Sequence, residues 1–321
     1  MKNIILLVVF GMIAPLPARA QADGGASDST ASAAAGASAA PRVETLVTAD
    51  SLRRMVDPAG LTIDAFGRLY VSDASLHCLQ RFDRDGRWLG ASGNLGSEPG
   101  ELRVPGAVVR LGALGVGVLD RENRRVVAFD LFGRRTGIAL DLTDPRLEAQ
   151  IGRVDPGVLA SDRGGALYVT DPLRERILCF DVSGIFLRSV GSFGARPGQL
   201  RGLRGLAVTS RGELVVTERH NARVQVLDSS GRPLRSWPLP VQRGRADLAV
   251  AVDAGGRVAV ADDASGRLWV FDAAGKVVAE AESLGHARAI TFAPDGRLLI
   301  AGRNPVASVR ALTLAVGSGT P

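Results

Sequence analysis

Two cysteines, two tyrosines, three tryptophans and three histidines are all that 321 residues hold of those types. Two thiols cannot make a disulfide framework or a cysteine-rich metal fold. Aromatic residues are 5% of the chain, too few to build a surface of aromatic and basic residues on which bases would stack. Only Lys2 and Lys276 are lysines, so the positive charge is nearly all guanidinium. Genomic base composition and planar recognition of anions both produce such a bias, and composition leaves the two open. No HExxH, GxSxG, CxxC or P-loop pattern occurs. What is abundant is apolar material: 46% hydrophobic against 22% charged residues is enough for a core and excludes a wholly disordered chain. The length exceeds the usual domain of about 100 to 200 residues, but single all-β folds reach about 250, so domain count must come from pattern.

The first residues read as an export signal. Lys2 precedes the apolar run Ile4 to Phe10, extended through Met12 and Ile13 before Pro15 and Pro17 break any helix. Ala18 and Ala20 supply the small residues at a cleavage site, and Gln21 rather than cysteine follows, which argues against a lipid anchor. An N-terminal membrane anchor is the rival reading, weakened because no later apolar run approaches the roughly 20 residues of a span. Cleavage would leave a net charge of about +4, mild rather than the excess of a nucleic-acid-binding protein. Residues 21–41 are Ala, Gly and Ser with no large apolar side chain, and the expectation is a flexible linker, with an Ala-rich helix as the weaker alternative.

Everything after the linker repeats. Gly67-Arg68-Leu69-Tyr70-Val71-Ser72-Asp73 recurs as Gly165-Ala166-Leu167-Tyr168-Val169-Thr170-Asp171. Looser copies end at Glu218, Asp262 and Gly302, and a worn one at Asp120. The ends of the six copies, at 73, 120, 171, 218, 262 and 302, lie 47, 51, 47, 44 and 40 residues apart, the period of a four-stranded propeller blade. Each copy has an apolar strand before it and another after it, such as Val126 to Asp130 or Ile177 to Asp181. A glycine stands three residues past each of five terminal aspartates, at Gly86, Gly133, Gly184, Gly231 and Gly275, where a turn needs positive φ.

These units resemble NHL repeats, with a Pro-Gly start, a Gly-hydrophobic-Tyr-Val-x-Asp strand, an Arg-Ile-x-hydrophobic-Phe-Asp strand and a Gly-rich closing loop. Gly93 to Leu102 and Gly191 to Leu200 share Gly, Gly, Pro, Gly and Leu at the same offsets. The resemblance covers about residues 57 to 303, with the second and sixth units degenerate, and implies an all-β, six-bladed β-propeller of four-stranded blades. The sixth unit supplies three strands before the chain ends, so Val43 to Thr48 is expected to be its outer strand, and the ring closes by an N-terminal strand joining the C-terminal blade. The domains expected are a signal peptide over 1–20, a linker over 21–41, the propeller over 42–314 and a flexible tail over 315–321.

An acid ends the second strand and an arginine follows five residues later in four units: Asp120 and Arg125, Asp171 and Arg176, Glu218 and Arg223, Asp262 and Arg267. One active site needs its groups once, whereas a fold element needs them in each blade, so these read as structural pairs rather than catalytic ones. In the first unit Cys78 takes the arginine position and leaves Asp73 without that partner, a hint of a site. Some NHL-like propellers, the peptidyl-hydroxyglycine lyases, set histidines from different blades around zinc. Here His77 and His220 fall in second turns of opposite blades, too far apart to share one ion, and His286 is alone. No metal, no cofactor and no catalytic residue is therefore assigned. Cys78 and Cys179 lie in non-adjacent blades and are expected to be free thiols. The loop face is biased toward arginine: Arg103, Arg124, Arg174, Arg204, Arg219 and Arg288, with His220, are the candidate ligand-binding residues. Ordinary solvated surface is the competing account. The reading is an exported, monomeric binding or scaffold protein in the periplasm or outside the cell, serving an anionic envelope ligand or a protein partner, with no nucleic acid and no membrane span after cleavage. A propeller enzyme similar to lactonases or lyases, with a metal in the central channel, is the alternative.

Overall fold

Each repeat becomes a four-stranded antiparallel sheet, because four short apolar segments divided by tight turns pair with their neighbours in sequence. The computed structural model describes residues 42–48 and 55–313; the expected signal segment, linker and tail lie outside them. After β1 (Arg42–Thr48), blade one is β2 (Pro58–Ile63), β3 (Leu69–Asp73), β4 (Cys78–Phe82) and β5 (Trp88–Ser92). Blade two is β6 (Pro105–Leu111), β7 (Gly115–Asp120), β8 (Arg125–Asp130) and β9 (Arg135–Asp141). A helix, α1 (Pro145–Ile151), precedes blade three. Blade three is β10 (Leu159–Ser161), β11 (Leu167–Asp171), β12 (Arg176–Phe180) and β13 (Phe186–Val190). Blade four is β14 (Leu203–Val208), β15 (Leu214–Glu218), β16 (Arg223–Leu227) and β17 (Pro233–Pro238). Blade five is β18 (Leu248–Val252), β19 (Val258–Asp262), β20 (Arg267–Phe271) and β21 (Val277–Ala281). Blade six is β22 (His286–Phe292), β23 (Leu298–Arg303) and β24 (Ala307–Thr313), completed by β1.

The inner strands β2, β6, β10, β14, β18 and β22 touch in that order and β22 touches β2, so the six blades form a closed ring. The second strands are buried from end to end, as in Leu69–Asp73 and Leu214–Glu218, since both faces of a blade are covered by the blades beside it. Outer strands such as Phe186–Val190 alternate between half-buried and exposed positions, facing a neighbour on one side and solvent on the other. The core is accordingly a set of clusters rather than one centre. Val47, Leu61, Val71, Phe82, Leu299 and Val309 fill one of them, where blade six meets blade one.

Closure takes the expected form. β1 runs antiparallel to β24, from Arg42 opposite Thr313 to Thr48 opposite Ser308, with a bulge between Thr45 and Val47. Helix α1 is an element that the strand pattern did not signal. Asp144 caps it by accepting from the Arg146 amide, Pro145 opens it, and it occupies the longest inter-blade spacing, the 51 residues between Asp120 and Asp171.

The turns between third and fourth strands show why the Asp-x-x-Gly spacing recurs. At Asp83 the side chain accepts from the amides of Asp85 and Arg87 at 2.9 and 2.8 Å while the Gly86 amide donates to the Asp83 carbonyl, and Asp130, Asp181, Asp228 and Asp272 repeat the arrangement.

Candidate functional site at the channel mouth

The paired acids and arginines hold the ring together. Asp120 Oδ1 accepts from the Arg103 amide at 2.7 Å, and its Oδ2 from Arg125 Nε at 2.9 Å and Asn123 Nδ2 at 2.8 Å. The far side of Arg125 then donates to the carbonyls of Ser97, Glu98 and Glu101, in the loop arriving from blade one. Blade four repeats this: Glu218 accepts from Arg223 at 2.6 Å, and Arg223 donates to Ala195, Arg196 and Gln199. In blade three Asp171 holds Arg176 at 3.0 Å, and the arginine reaches the Ile151 carbonyl at the end of α1. Each such arginine clamps the loop that enters its own blade.

Two readings need correction. Asp262 and Arg267 face each other across the ladder, but their side chains do not pair. The Ser265 hydroxyl donates to Asp262 at 2.6 Å, the amides of Asp247 and Ala264 take its other oxygen, and Arg267 turns to Glu282 at 2.7 Å. Asp73, opposite Cys78, is not a vacant site either: the amides of Val56, Asp57, Ser75 and Leu76 donate to its carboxylate and take over the missing arginine's work.

The histidines are dispersed. His77 Nδ1 accepts from the Val104 amide at 3.1 Å, fixing the start of blade two, and Glu175 does the same for the amides of Gly202 and Leu203 in blade four. His220 accepts from Arg219 Nε at 3.3 Å. His286 Nδ1 lies 3.4 Å from Asp263. No group of three or more His, Cys, Asp or Glu side chains that could share a metal ion occurs among the described residues. The donor set does not fit the calcium or zinc that the propeller-enzyme resemblance implies.

Both cysteines are buried and free. Burial pushes the Cys179 thiol up to about 11 and that of Cys78 up to about 12, with Asp73 adding to the latter. Alkylating reagents are therefore expected to leave both thiols untouched in the native protein and to label both in denaturant without any reductant. Labelling that required reduction, read by intact mass, would contradict this.

A cavity of about 1160 Å³ runs along the ring axis, walled by the six inner strands. Ala59, Gly106, Gly157, Arg204, Asp247 and Arg288 stand where those strands begin. Beside them lie Arg121, Pro172, Arg219 and Asp263, each the residue directly after the acid that ends a second strand. This mouth is uneven. Blades one to three contribute small residues, and Gly106 has a use there: a Cβ would come within 2.8 Å of the Arg121 side chain, so glycine lets that arginine lie across the opening. Gly202, at φ +72°, likewise leaves room for Arg219 and His220.

Of the arginines expected to bind a ligand, Arg204, Arg219 and Arg288 line the mouth. Arg288 is paired with Asp57 at 2.8 Å. Arg124 is tied to Glu148 of α1 at 2.5 Å, and Arg174 to the Arg153 carbonyl and Asp171, so both serve the scaffold. Arg103 lies outside the cavity, 3.8 Å from Glu122. Arg204 is the least satisfied of the group. Its Nε is sealed from solvent without a hydrogen bond among the described residues, and its nearest carboxylate, Asp247, is 3.8 Å away. Burial lowers its pKa and the Arg219 and Arg121 guanidinium groups lower it further, against the opposing pull of Asp247 and Glu175. In the neighbouring blade, burial raises the pKa of Asp263, whose Oδ1 also has no hydrogen bond among the described residues.

Comparisons with known proteins bear on the fold. No curated protein matches the chain in sequence. Among solved structures, a gluconolactonase from Xanthomonas campestris is 18% identical at a TM-score of 0.63, covering 89% of this chain and 93% of that one. Virginiamycin B lyase from Staphylococcus aureus is 12% identical at 0.60, covering 85% and 99%. A calcium-binding protein, regucalcin, from Agrobacterium tumefaciens is 14% identical at 0.59, covering 81% and 90%. Identities this low establish architecture alone. Residues 200–227, the heart of blade four, match the NHL repeat, and the chain folds as a six-bladed β-propeller.

Proposed function

We propose that this chain is an exported, non-catalytic binding protein, and that an anionic group, free in the cell envelope or borne by a protein partner, seats at the channel mouth between Arg121, Arg204 and Arg219. The observation that supports this is the crowding of these guanidinium groups, from blades two and four, at one opening. Asp247 and Glu175 offset only part of their mutual repulsion: both oxygens of Glu175 are engaged by backbone amides, and Asp247 is beyond hydrogen-bond distance of Arg204. An incoming carboxylate or phosphate relieves that repulsion and accepts charge-assisted hydrogen bonds in a fork geometry. Titration with citrate is expected to show saturable binding that weakens with salt and falls about tenfold or more in Arg204→Ala and in Arg219→Ala, since a hydrogen bond to a charged group contributes about 1.5 to 3 kcal/mol. Equal affinity in the wild type and in a variant carrying both Arg204→Ala and Arg219→Ala would refute the reading.

A second reading, a propeller enzyme, is favoured by the Asp263 and His286 pair, in which a carboxyl whose pKa burial raises lies 3.4 Å from an imidazole at the rim. The lyase and lactonase neighbours share the architecture on which such a pair would act. Because no metal donor set assembles among the described residues, its proton transfers would fall to these two side chains. Recovery of the ligand unchanged after incubation separates binding from turnover.

A further inference from the structure

We infer that the ligand is amphoteric, carrying an α-amino-carboxylate head group whose carboxylate sits on Arg204 and Arg219 and whose ammonium sits on Asp247, with an apolar body directed into the channel. This rests on the anion-binding reading above and adds the second charge. Around the mouth the charges fall into two adjoining sectors: Arg121, Arg204, Arg219 and Arg245 on blades two and four and the loop that leaves blade four, then Asp247 and Asp263 on blade five. The remaining rim charges are spent locally, Arg288 on Asp57 at 2.8 Å and Glu175 on two amides.

The boundary between the sectors decides the ligand's chemistry. Arg204 Nε and Asp247 Oδ1 stand 3.8 Å apart, adjacent yet not hydrogen-bonded, and the Asp247 carboxylate is 66% exposed. A ligand with only negative charge that reached Arg204 would bring its charge against Asp247, and repulsion between neighbouring like charges weakens binding. A ligand that also brings an ammonium turns the same neighbour into a partner. An α-amino-carboxylate bears its two charges on one carbon, so it needs a cation and an anion side by side, which is what the boundary offers. Below it the wall is apolar and half-buried at Ala107, Val158, Ala249 and Ala289, suited to a hydrocarbon side chain.

The test compares L-leucine, N-acetyl-L-leucine and L-leucinamide by titration calorimetry on the full chain, with citrate as a parallel probe. The wild type is expected to bind leucine at least about tenfold tighter than either blocked form, a difference of about 1.4 kcal/mol. Asp247→Asn, a change at an exposed side chain, is expected to erase the preference for leucine over its N-acetyl form. Binding of N-acetyl-leucine as tight as that of leucine, or no binding of any of the three, overturns the inference, and retained citrate binding then shows that the anion site itself stands. Loss of citrate binding as well would sink both readings.

Discussion

Deletion of Arg42–Thr48 is expected to lower the melting temperature of the whole ring by roughly 10 °C or more. The strand supplies the outer ladder of blade six and seats Val47, 3% exposed, in the cluster shared by blades six and one. Burial of one such side chain contributes about 1.5 to 3 kcal/mol, and each lost ladder bond about 0.5 to 1.5 kcal/mol, so the total is on the order of 5 kcal/mol. For a domain of this size about 2 to 4 °C follows each kcal/mol. The loss also bares the edge of β24, an invitation to pair with a second molecule, so aggregation on heating is expected to set in earlier. A cooperative melt at the wild-type temperature, followed by circular dichroism, would show that β1 is dispensable.

Glu218→Ala is expected to destabilise the propeller by about 3 to 5 kcal/mol, the cost of leaving a buried charge without its partner. Glu218 is fully buried and accepts from Arg223, Asn221, Gln225 and the Arg201 amide. Its removal strands a mostly buried guanidinium and several donors without their acceptor. Arg223→Ala is expected to cost less, because the carboxylate keeps its other donors while the loop from Ala195 to Gln199 loses its clamp. In a double-mutant cycle by urea denaturation the paired change should cost clearly less than the two single costs together. Additive costs would mean that the two side chains act independently.

These expectations show where the sequence was legible. Repetition carried the fold: an acid and an arginine at fixed spacing in several units had to be scaffold, and blades two, three and four use them so. It misled in blade five, where Ser265 satisfies the acid through a shorter reach and Glu282 draws Arg267 away, a competition that depends on side-chain paths in space. Asp73 is similar, since backbone amides replaced the absent guanidinium and backbone donors leave no trace in residue identity. Helix α1 could have been suspected from the long spacing before Asp171 and from Asp144-Pro145, an N-cap followed by a first-turn proline. The mouth was half legible. An arginine bias on the loop face was visible, but Arg124 and Arg174 are as arginine-like in sequence as Arg204, and only the placement of α1 and the backbone carbonyls shows that they are committed elsewhere. The signal overlooked was positional: the residue following the acid lines the axial cavity in blades two to five, which singles out Arg121, Arg219 and Asp263 among the charged ones.

That adjacency divides the labour between consecutive positions. At 120, 171, 218 and 262 the side chain is bound into the framework and tolerates little change, while its successor at 121, 172, 219 or 263 lines the axial cavity and makes few bonds to the framework. Selectivity in this molecule can therefore drift blade by blade, one rim residue at a time, without any toll on the wheel that carries it.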